Sequence, residues 1–146
     1  MTPHADTRVA RVVTLFERLT PADVARLGEF YAGDARFKDP FNEVQGVPAI
    51  QRVFEHMYRA LESPRFVVRD VLAEGDQAFL GWDFLFRFRR FDRDTEQVVH
   101  GGTHLVFAAD GRIALHRDYW DAAEELYEKL PGVGALMRWL KRRASG

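Results

Sequence analysis

The chain contains no cysteine. This absence excludes disulfide bonds, a thiolate nucleophile and any zinc site built on cysteine ligands, and it is compatible with a reducing compartment. Long apolar runs are missing too: no stretch approaches the length needed to cross a bilayer, and the N-terminus lacks the apolar segment of a signal peptide. From these absences we expect a cytoplasmic protein.

An excess of charge of either sign is also absent. Lysine and arginine number 21 and aspartate and glutamate 22, so the formal net charge is −1. A chain with this balance is not expected to bind nucleic acid, because such binding depends on a basic surface. No His-x-His or His-Glu-x-x-His pattern is present, and we therefore predict neither a metal site nor a cofactor.

Aromatic and aliphatic residues are plentiful. Hydrophobic residues make up 47% of the 146 positions, and 12 residues are phenylalanine. A chain of this length can bury a substantial core, and without a linker or repeat it predicts one domain over 1–146. The aromatic content fits either a bulky core or an apolar ligand pocket.

Hydrophobic periodicity predicts helices first and strands afterwards. Helices are predicted over Arg8–Leu19, from Pro21 to Phe30, from Val47 to a stop at Ser63-Pro64, and in a tail over 122–130 and 133–142. Strands are predicted over 35–39, 66–73, 77–91, 96–109 and 112–120. This order predicts an α+β fold, a cone-shaped roll in which three helices pack against a strongly curved antiparallel sheet and a helical tail follows.

The order of elements and several local strings resemble the ketosteroid-isomerase branch of the nuclear-transport-factor-2-like superfamily, which also holds the SnoaL-like polyketide cyclases. The strings are Phe30–Pro40, Gly46–Ile50, His104–Phe107 with Asp110–Ile113, and Tyr119-Trp120. Together they span most of the chain. Because this superfamily contains enzymes and pure binders alike, the resemblance predicts the fold more firmly than the function.

The resemblance also implies site residues. The isomerases use an aspartate base at the position of Asp39, while their two oxyanion donors would fall at Leu15 and Thr103, neither of which is the family's donor. The polyketide cyclases resemble the chain through an acid on the last strand, which matches Asp118. The predicted catalytic residues are therefore Asp39 as general base, with His116 and Asp118 assisting as acid/base or orienting groups.

Strand parity predicts the wall of a cavity, since alternate residues of a strand share a face. Trp120 resembles a pocket aromatic of the family. Because His116 and Asp118 share its face of the strand, we expect all three side chains to point into the cavity. The predicted substrate-binding residues come from the third helix and the inward strand positions: Phe54, Met57, Tyr58, Trp82, Phe84, Phe86, Thr103, Leu105 and Trp120. Apolar walls with a few convergent polar groups are typical of small-molecule sites.

Each assignment has a structural alternative. The carboxylate of Asp39 could accept hydrogen bonds from the backbone of the following loop, and His116 could be a structural partner of Asp118. The aromatic row that starts at Trp82 could be core packing. Two functions therefore stay open: a cofactor-free acid/base isomerase, cyclase or related enzyme acting on an apolar carbonyl-bearing substrate such as a polyketide or terpenoid, or a non-catalytic module that binds an apolar ligand or a protein partner.

The predicted partners are a small apolar ligand and a second copy of the chain, bound through the outer face of the sheet as the resemblance implies. Apolar residues at Val133, Leu136 and Leu140 precede a basic run over Lys141–Arg143. Such a helix can lie on a membrane. We favour the reading without a membrane, because basic residues suit the last turn of any helix and the apolar stripe could cover the cone or a partner subunit.

Overall fold

The computed structural model describes residues 4–130 and 132–145, with the side chains of Glu128 and Met137 left out. Over these residues the α-helices are α1 (Thr7–Arg18), α2 (Val47–Ala60), α3 (Ala122–Glu125) and α4 (Val133–Ser145). The strands are β1 (Tyr31–Lys38), β2 (Glu43–Gln45), β3 (Leu61–Glu74), β4 (Gln77–Phe88), β5 (Gln97–Phe107) and β6 (Ile113–Tyr119). Two 3₁₀ helices cover Pro21–Glu29 and Tyr127–Lys129.

The strands form one sheet in the order β2-β1-β6-β5-β4-β3. Strands β3 to β6 follow one another as an antiparallel meander, as their alternating pattern predicts. Strand β1 instead lies parallel to β6, with Phe37 beside His116, and antiparallel to the short strand β2. The α+β class is confirmed, and the sheet is mixed because the first strand returns to the last.

The starts of β1 and β3 differ most from the predicted ones, and both strands contain a backbone irregularity. Strand β3 begins at Leu61, directly after α2, although Ser63-Pro64 suggested a loop there. Ser63 has a φ of 51°, and the β3–β4 register shifts between Glu62 and Arg65, so a bulge accommodates the proline without ending the strand. Strand β1 starts at Tyr31, four residues before the predicted start.

The core lies between the helices and the inner face of the sheet. Helix α1 buries the stripe that its periodicity predicts, with Val9, Val12 and Phe16 each at most 3% exposed. Its first turn is capped by the carboxylate of Asp6, which accepts a hydrogen bond from the backbone of Arg8. Helix α2 packs against β1 and β3, and a gap remains between it and the inner face of the sheet.

The C-terminal segment is less continuous than predicted. The helix expected over 122–130 is split into the single turn of α3 and a 3₁₀ turn, and α4 then runs to Ser145. Helix α4 leaves Leu136 and Trp139 about half exposed. In the part of the chain that the structure describes, every helix is too short or too polar to cross a bilayer.

Candidate active site

A cavity of about 350 Å³ opens between α2 and the inner face of the sheet. Its volume is at the small end of the range for ligand sites. Most of the residues predicted to form the site line this cavity: Asp39, Phe54, Met57, Trp82, Phe84, Phe86, Thr103, His116, Asp118 and Trp120. The alternating inward positions of β4, β5 and β6 therefore converge on one space.

Leu105 and Tyr58 are not part of the wall, contrary to the prediction. Leu105 does face inward, but it is fully buried one inward position deeper than Thr103 and belongs to the packed core. Tyr58 follows Met57 by one residue, which on a helix turns its side chain by about 100° away from the cavity. Its hydroxyl is buried without a hydrogen-bond partner among the described residues.

Several wall residues were not predicted. Helix α1 contributes Phe16, β1 contributes Phe37, and the loop after β1 contributes Phe41 and Asn42. His56 on α2 also lines the cavity, at an exposed position. The buried stripe of α1 could have indicated Phe16, whereas the loop residues give no periodic signal.

A chain of hydrogen bonds runs behind the polar part of the wall. The indole nitrogen of Trp82 donates to the hydroxyl of Thr103 over 2.8 Å, and Thr103 Oγ1 donates to Oδ1 of Asp118 over 2.6 Å. His116 Nε2 lies 2.7 Å from the same Oδ1, and its Nδ1 lies 2.7 Å from the hydroxyl of Tyr31. The cross-strand register explains the contact between Thr103 and Asp118, since the two residues are paired on neighbouring strands.

These contacts assign the tautomer of His116. The Tyr31 hydroxyl has the buried Nδ1 as its partner, so its proton is best placed on that bond, with Nδ1 as acceptor. Nε2 then carries the N–H group, which donates a hydrogen bond to Oδ1 of Asp118. His116 is 3% exposed, and its ring packs against Phe37 with centroids 4.5 Å apart. The imidazole is thus held on both nitrogens and on its face.

Tyr31 was not predicted as part of the site. It is fully buried at the start of β1, and burial, followed by the negative charge of Asp118, raises its pKa well above its ordinary value. A tyrosine with a raised pKa remains a hydroxyl donor over the whole physiological range. The side chain therefore keeps donating to His116.

Asp118 has one oxygen engaged and one open. Both hydrogen bonds described above end on Oδ1. No described residue donates to Oδ2, and the side chain is 14% exposed where it lines the cavity. The carboxylate is therefore fixed in orientation while one of its lone-pair sets remains available to a ligand.

Asp39 also lines the cavity, but its oxygens are engaged by the loop that follows β1. Oδ1 accepts from the backbone nitrogens of Phe41 and Asn42 over 2.8 and 2.6 Å, and the side-chain amide of Asn42 lies 3.1 Å from each oxygen. These are the contacts of the structural alternative raised for Asp39. The two acids nevertheless lie at the same end of the neighbouring strands β1 and β6. In the parallel register Lys38 pairs with Arg117, and Asp39 and Asp118 are the residues that follow.

The described residues contain no group of three or more histidine, aspartate and glutamate side chains that could hold a metal ion.

Comparison with known proteins identifies the family. Residues 12–116 match the model of the SnoaL-like domain. No curated protein matches the chain. Among solved structures, a protein of ketosteroid isomerase-like fold from Catenulispora acidiphila, solved with trimethylamine, superposes with a TM-score of 0.71 at 17% identity, covering 84% of this chain and 92% of that one.

Two further structures are similar at comparable levels. An LEH-like epoxide hydrolase from M. tuberculosis has a TM-score of 0.69 at 15% identity, covering 97% of this chain and 96% of its own. A proposed polyketide cyclase from Sinorhizobium meliloti has a TM-score of 0.62 at 24% identity, covering 77% of this chain and 94% of its own. At these identities the structures show a common fold, and the family match extends over more than half of the sequence: the chain belongs to the SnoaL-like domain family.

Proposed function

We propose that the protein is a cofactor-independent acid/base enzyme acting on an apolar, carbonyl-bearing small molecule, with Asp118 as the residue that exchanges a proton with the substrate. One observation carries this proposal: Asp118 lines the aromatic cavity, its Oδ1 is held by two hydrogen bonds, and no described residue donates to its Oδ2. Among the structural neighbours are a proposed polyketide cyclase and an epoxide hydrolase, which supports a role in small-molecule chemistry.

The proposed mechanism uses the chain's own side chains. Asp118 Oδ2 removes a proton from a carbon next to the carbonyl, and the O–H so formed returns the proton at another position, so that no net charge is gained. His116 and Thr103 act as positioning residues, because their hydrogen bonds keep Oδ1 from rotating toward the substrate. The aromatic wall excludes bulk water, so that the proton passes between substrate and carboxylate.

Asp39 takes a different part in this proposal. Because its carboxylate orders the loop that carries Phe41 and Asn42, we assign it to shaping the mouth of the cavity. The alternative in which Asp39 is the base remains a prediction. Deuterium incorporation by an Asp39 variant tests it. A second function, non-catalytic binding, is favoured by one observation: among the described wall residues, only His56 and Trp120 carry a side-chain donor without a hydrogen bond to the protein, which leaves little to hold a developing oxyanion.

The experiment that separates enzyme from binder measures hydrogen exchange on a bound ligand. The protein is incubated in D₂O with a panel of apolar ketones and enones, and each ligand is recovered and analysed by mass spectrometry. A proton-transfer enzyme incorporates deuterium next to the carbonyl even when no net reaction occurs. Ligands that bind and are recovered without deuterium after long incubation would support the binding module instead.

A further inference from the structure

The charges on the cavity wall do not balance. Two carboxylates, of Asp39 and Asp118, line the cavity, and the described wall contains no lysine or arginine. The basic neighbours of the two acids in sequence, Lys38 and Arg117, line a second cleft, which the two acids also line. Lys38 Nζ lies 3.7 Å from Glu43, and the Arg117 guanidinium lies 4.7 Å from the ring of Tyr119. A ligand in the cavity therefore meets two carboxyl groups without a lysine or arginine to match them.

The rest of the wall is aromatic in a way that also suits a positive charge. The ring of Phe66 lies 4.6 Å from that of Phe84 and 5.3 Å from that of Trp82, and Phe84 continues the row to Phe86. At the mouth, Phe41 meets Trp120 edge-on at 5.4 Å. Aromatic faces carry negative quadrupole charge and attract cations, most strongly where water is excluded. The aromatic rings and the two carboxyl groups therefore both favour a positively charged ligand.

We propose that the cavity selects ligands that carry a positive charge on an apolar body, such as a protonated tertiary amine or a quaternary ammonium group. This proposal rests on the proposed function in so far as it takes the cavity to be the substrate site, and it narrows the substrate to an apolar amine. A cationic group on the substrate also compensates for the missing oxyanion donors, because it offsets the negative charge that forms on a neighbouring carbonyl when its proton is removed.

The test compares two ligands of the same shape and different charge. Phenyltrimethylammonium and tert-butylbenzene have equal numbers of heavy atoms, and their binding to the whole chain is followed by the NMR shift of the Trp82 indole proton. The measurement is made at about pH 8, above the ordinary pKa of a histidine side chain. We expect the cation to bind at least about tenfold more tightly, the size of preference that a desolvated cation–π contact allows.

Charge-removing variants locate the source of the preference. Asp118→Asn should lower the ratio of the two affinities at least about fivefold, because it removes a full charge at the ligand. The matched control is Asp34→Asn, which removes the same charge from an exposed position on β1 that does not line the cavity, and it should leave the ratio unchanged.

The outcomes distinguish this proposal from the one on which it rests. Equal or tighter binding of tert-butylbenzene would overturn the charge preference, while deuterium incorporation into a neutral ketone would still support proton transfer. A preference that persists in Asp118→Asn and falls in Asp34→Asn would likewise overturn it, since the charge would then act from outside the cavity. Failure of both ligands to bind up to their solubility limits would overturn the amine proposal and count against the cavity as a ligand site.

Discussion

At the scale of single residues, the site depends on how His116 is held. Its two ring nitrogens contact Tyr31 and Asp118 at 2.7 Å each, and its ring packs between aromatic side chains. An imidazole held at both ring nitrogens can transmit the orientation of a buried hydroxyl to a carboxylate at the cavity wall. Tyr31 is therefore a positioning residue for Asp118.

Replacing Tyr31 by phenylalanine tests this arrangement. The substitution removes the donor to His116 Nδ1 and leaves a buried polar atom without a partner, which should lower the free energy of unfolding by about 1–3 kcal/mol. The matched control is Tyr58→Phe, because the Tyr58 hydroxyl is buried without a described partner and its loss should be neutral or slightly stabilising. Urea denaturation measures both, and ¹⁵N shifts of His116 should change only in Tyr31→Phe. Equal losses in the two variants would contradict the role of Tyr31.

The same tyrosines predict a loss of stability in alkali. Burial raises the pKa of Tyr31 well above its ordinary value and that of Tyr58 to about 12. The unfolded chain releases these protons at lower pH than the folded chain, so the free energy of unfolding is unaffected below about pH 10 and falls as the pH rises above it. Urea midpoints measured between neutral and alkaline pH should fall less steeply in Tyr31→Phe. An unchanged slope in that variant would show that Tyr31 ionises as freely in the folded state as in the unfolded one.

The sequence could predict some of these residues and not others. The period of two places His116 and Asp118 on one face, and the structure brings both to the cavity wall. The bonds of Asp39 depend on the backbone course of the loop through Phe41, which no periodicity describes. Tyr31 was missed because it lies before the predicted start of β1, and its partner is 85 positions away in the chain.

At the scale of elements, close contact between strands β4 and β5 shapes the wall. Trp82 lies opposite Gly101, and a Cβ added to that glycine would come within 2.5 Å of the indole and 3.0 Å of the Cβ of Trp120. Only a residue without a side chain lets the Trp82 ring lie flat over β5, where its nitrogen reaches Thr103.

Substituting Gly101 by alanine should therefore displace Trp82. We expect a loss of about 1–3 kcal/mol in the free energy of unfolding, typical of overpacking against a buried ring, together with a change in tryptophan fluorescence. The matched control is Gly33→Ala on β1, where an added Cβ has no atom within 4 Å, and its stability should stay the same or rise slightly. If Gly101→Ala retained full stability and native fluorescence, the proposed contact between Trp82 and β5 would be wrong.

Sequence patterns predicted most elements and some of their ends. The meander of β3 to β6 follows from alternation and turn residues, and helices α1 and α2 from apolar stripes. The parallel pairing of β1 with β6 could not be predicted from local pattern, because the two strands are separated in sequence by helix α2 and the other strands of the meander. The bulge at Ser63 could not be predicted either. A proline in a sequence indicates the end of a strand, and no pattern showed that β3 continues past it through a bulge.

At the scale of the whole molecule, the outer face of the sheet carries exposed apolar side chains. Leu72 is 69% exposed and lies opposite Phe79, which is 40% exposed. Tyr119 lies on the same face, 47% exposed, and pairs with Gly102 near the Phe79 ring. Apolar side chains that lie together on one face are typical of interaction surfaces. The predicted homodimer would bury this row.

A single charge on this row tests the dimer. Phe79→Glu should convert a dimer to a monomer in sedimentation, because two copies of a glutamate would be brought together in a desolvated contact. Leu136→Lys on α4 serves as the control, since it changes an exposed apolar residue that is not part of the sheet, and it should leave the sedimentation unchanged. A wild-type protein that sediments as a monomer at high concentration would end the prediction.

The central claim, that proton transfer at the cavity passes through Asp118, is tested most directly by comparing deuterium incorporation in Asp118→Asn and Asp39→Asn on the same ligand. The account predicts that Asp118→Asn loses at least about a hundredfold in exchange rate, the usual contribution of a general base. Asp39→Asn, which keeps an acceptor oxygen for the loop, should stay within about tenfold of the wild-type rate, because most of the base's contribution would be retained. The opposite order, with exchange lost in Asp39→Asn and retained in Asp118→Asn, would contradict the account and return the role of base to Asp39.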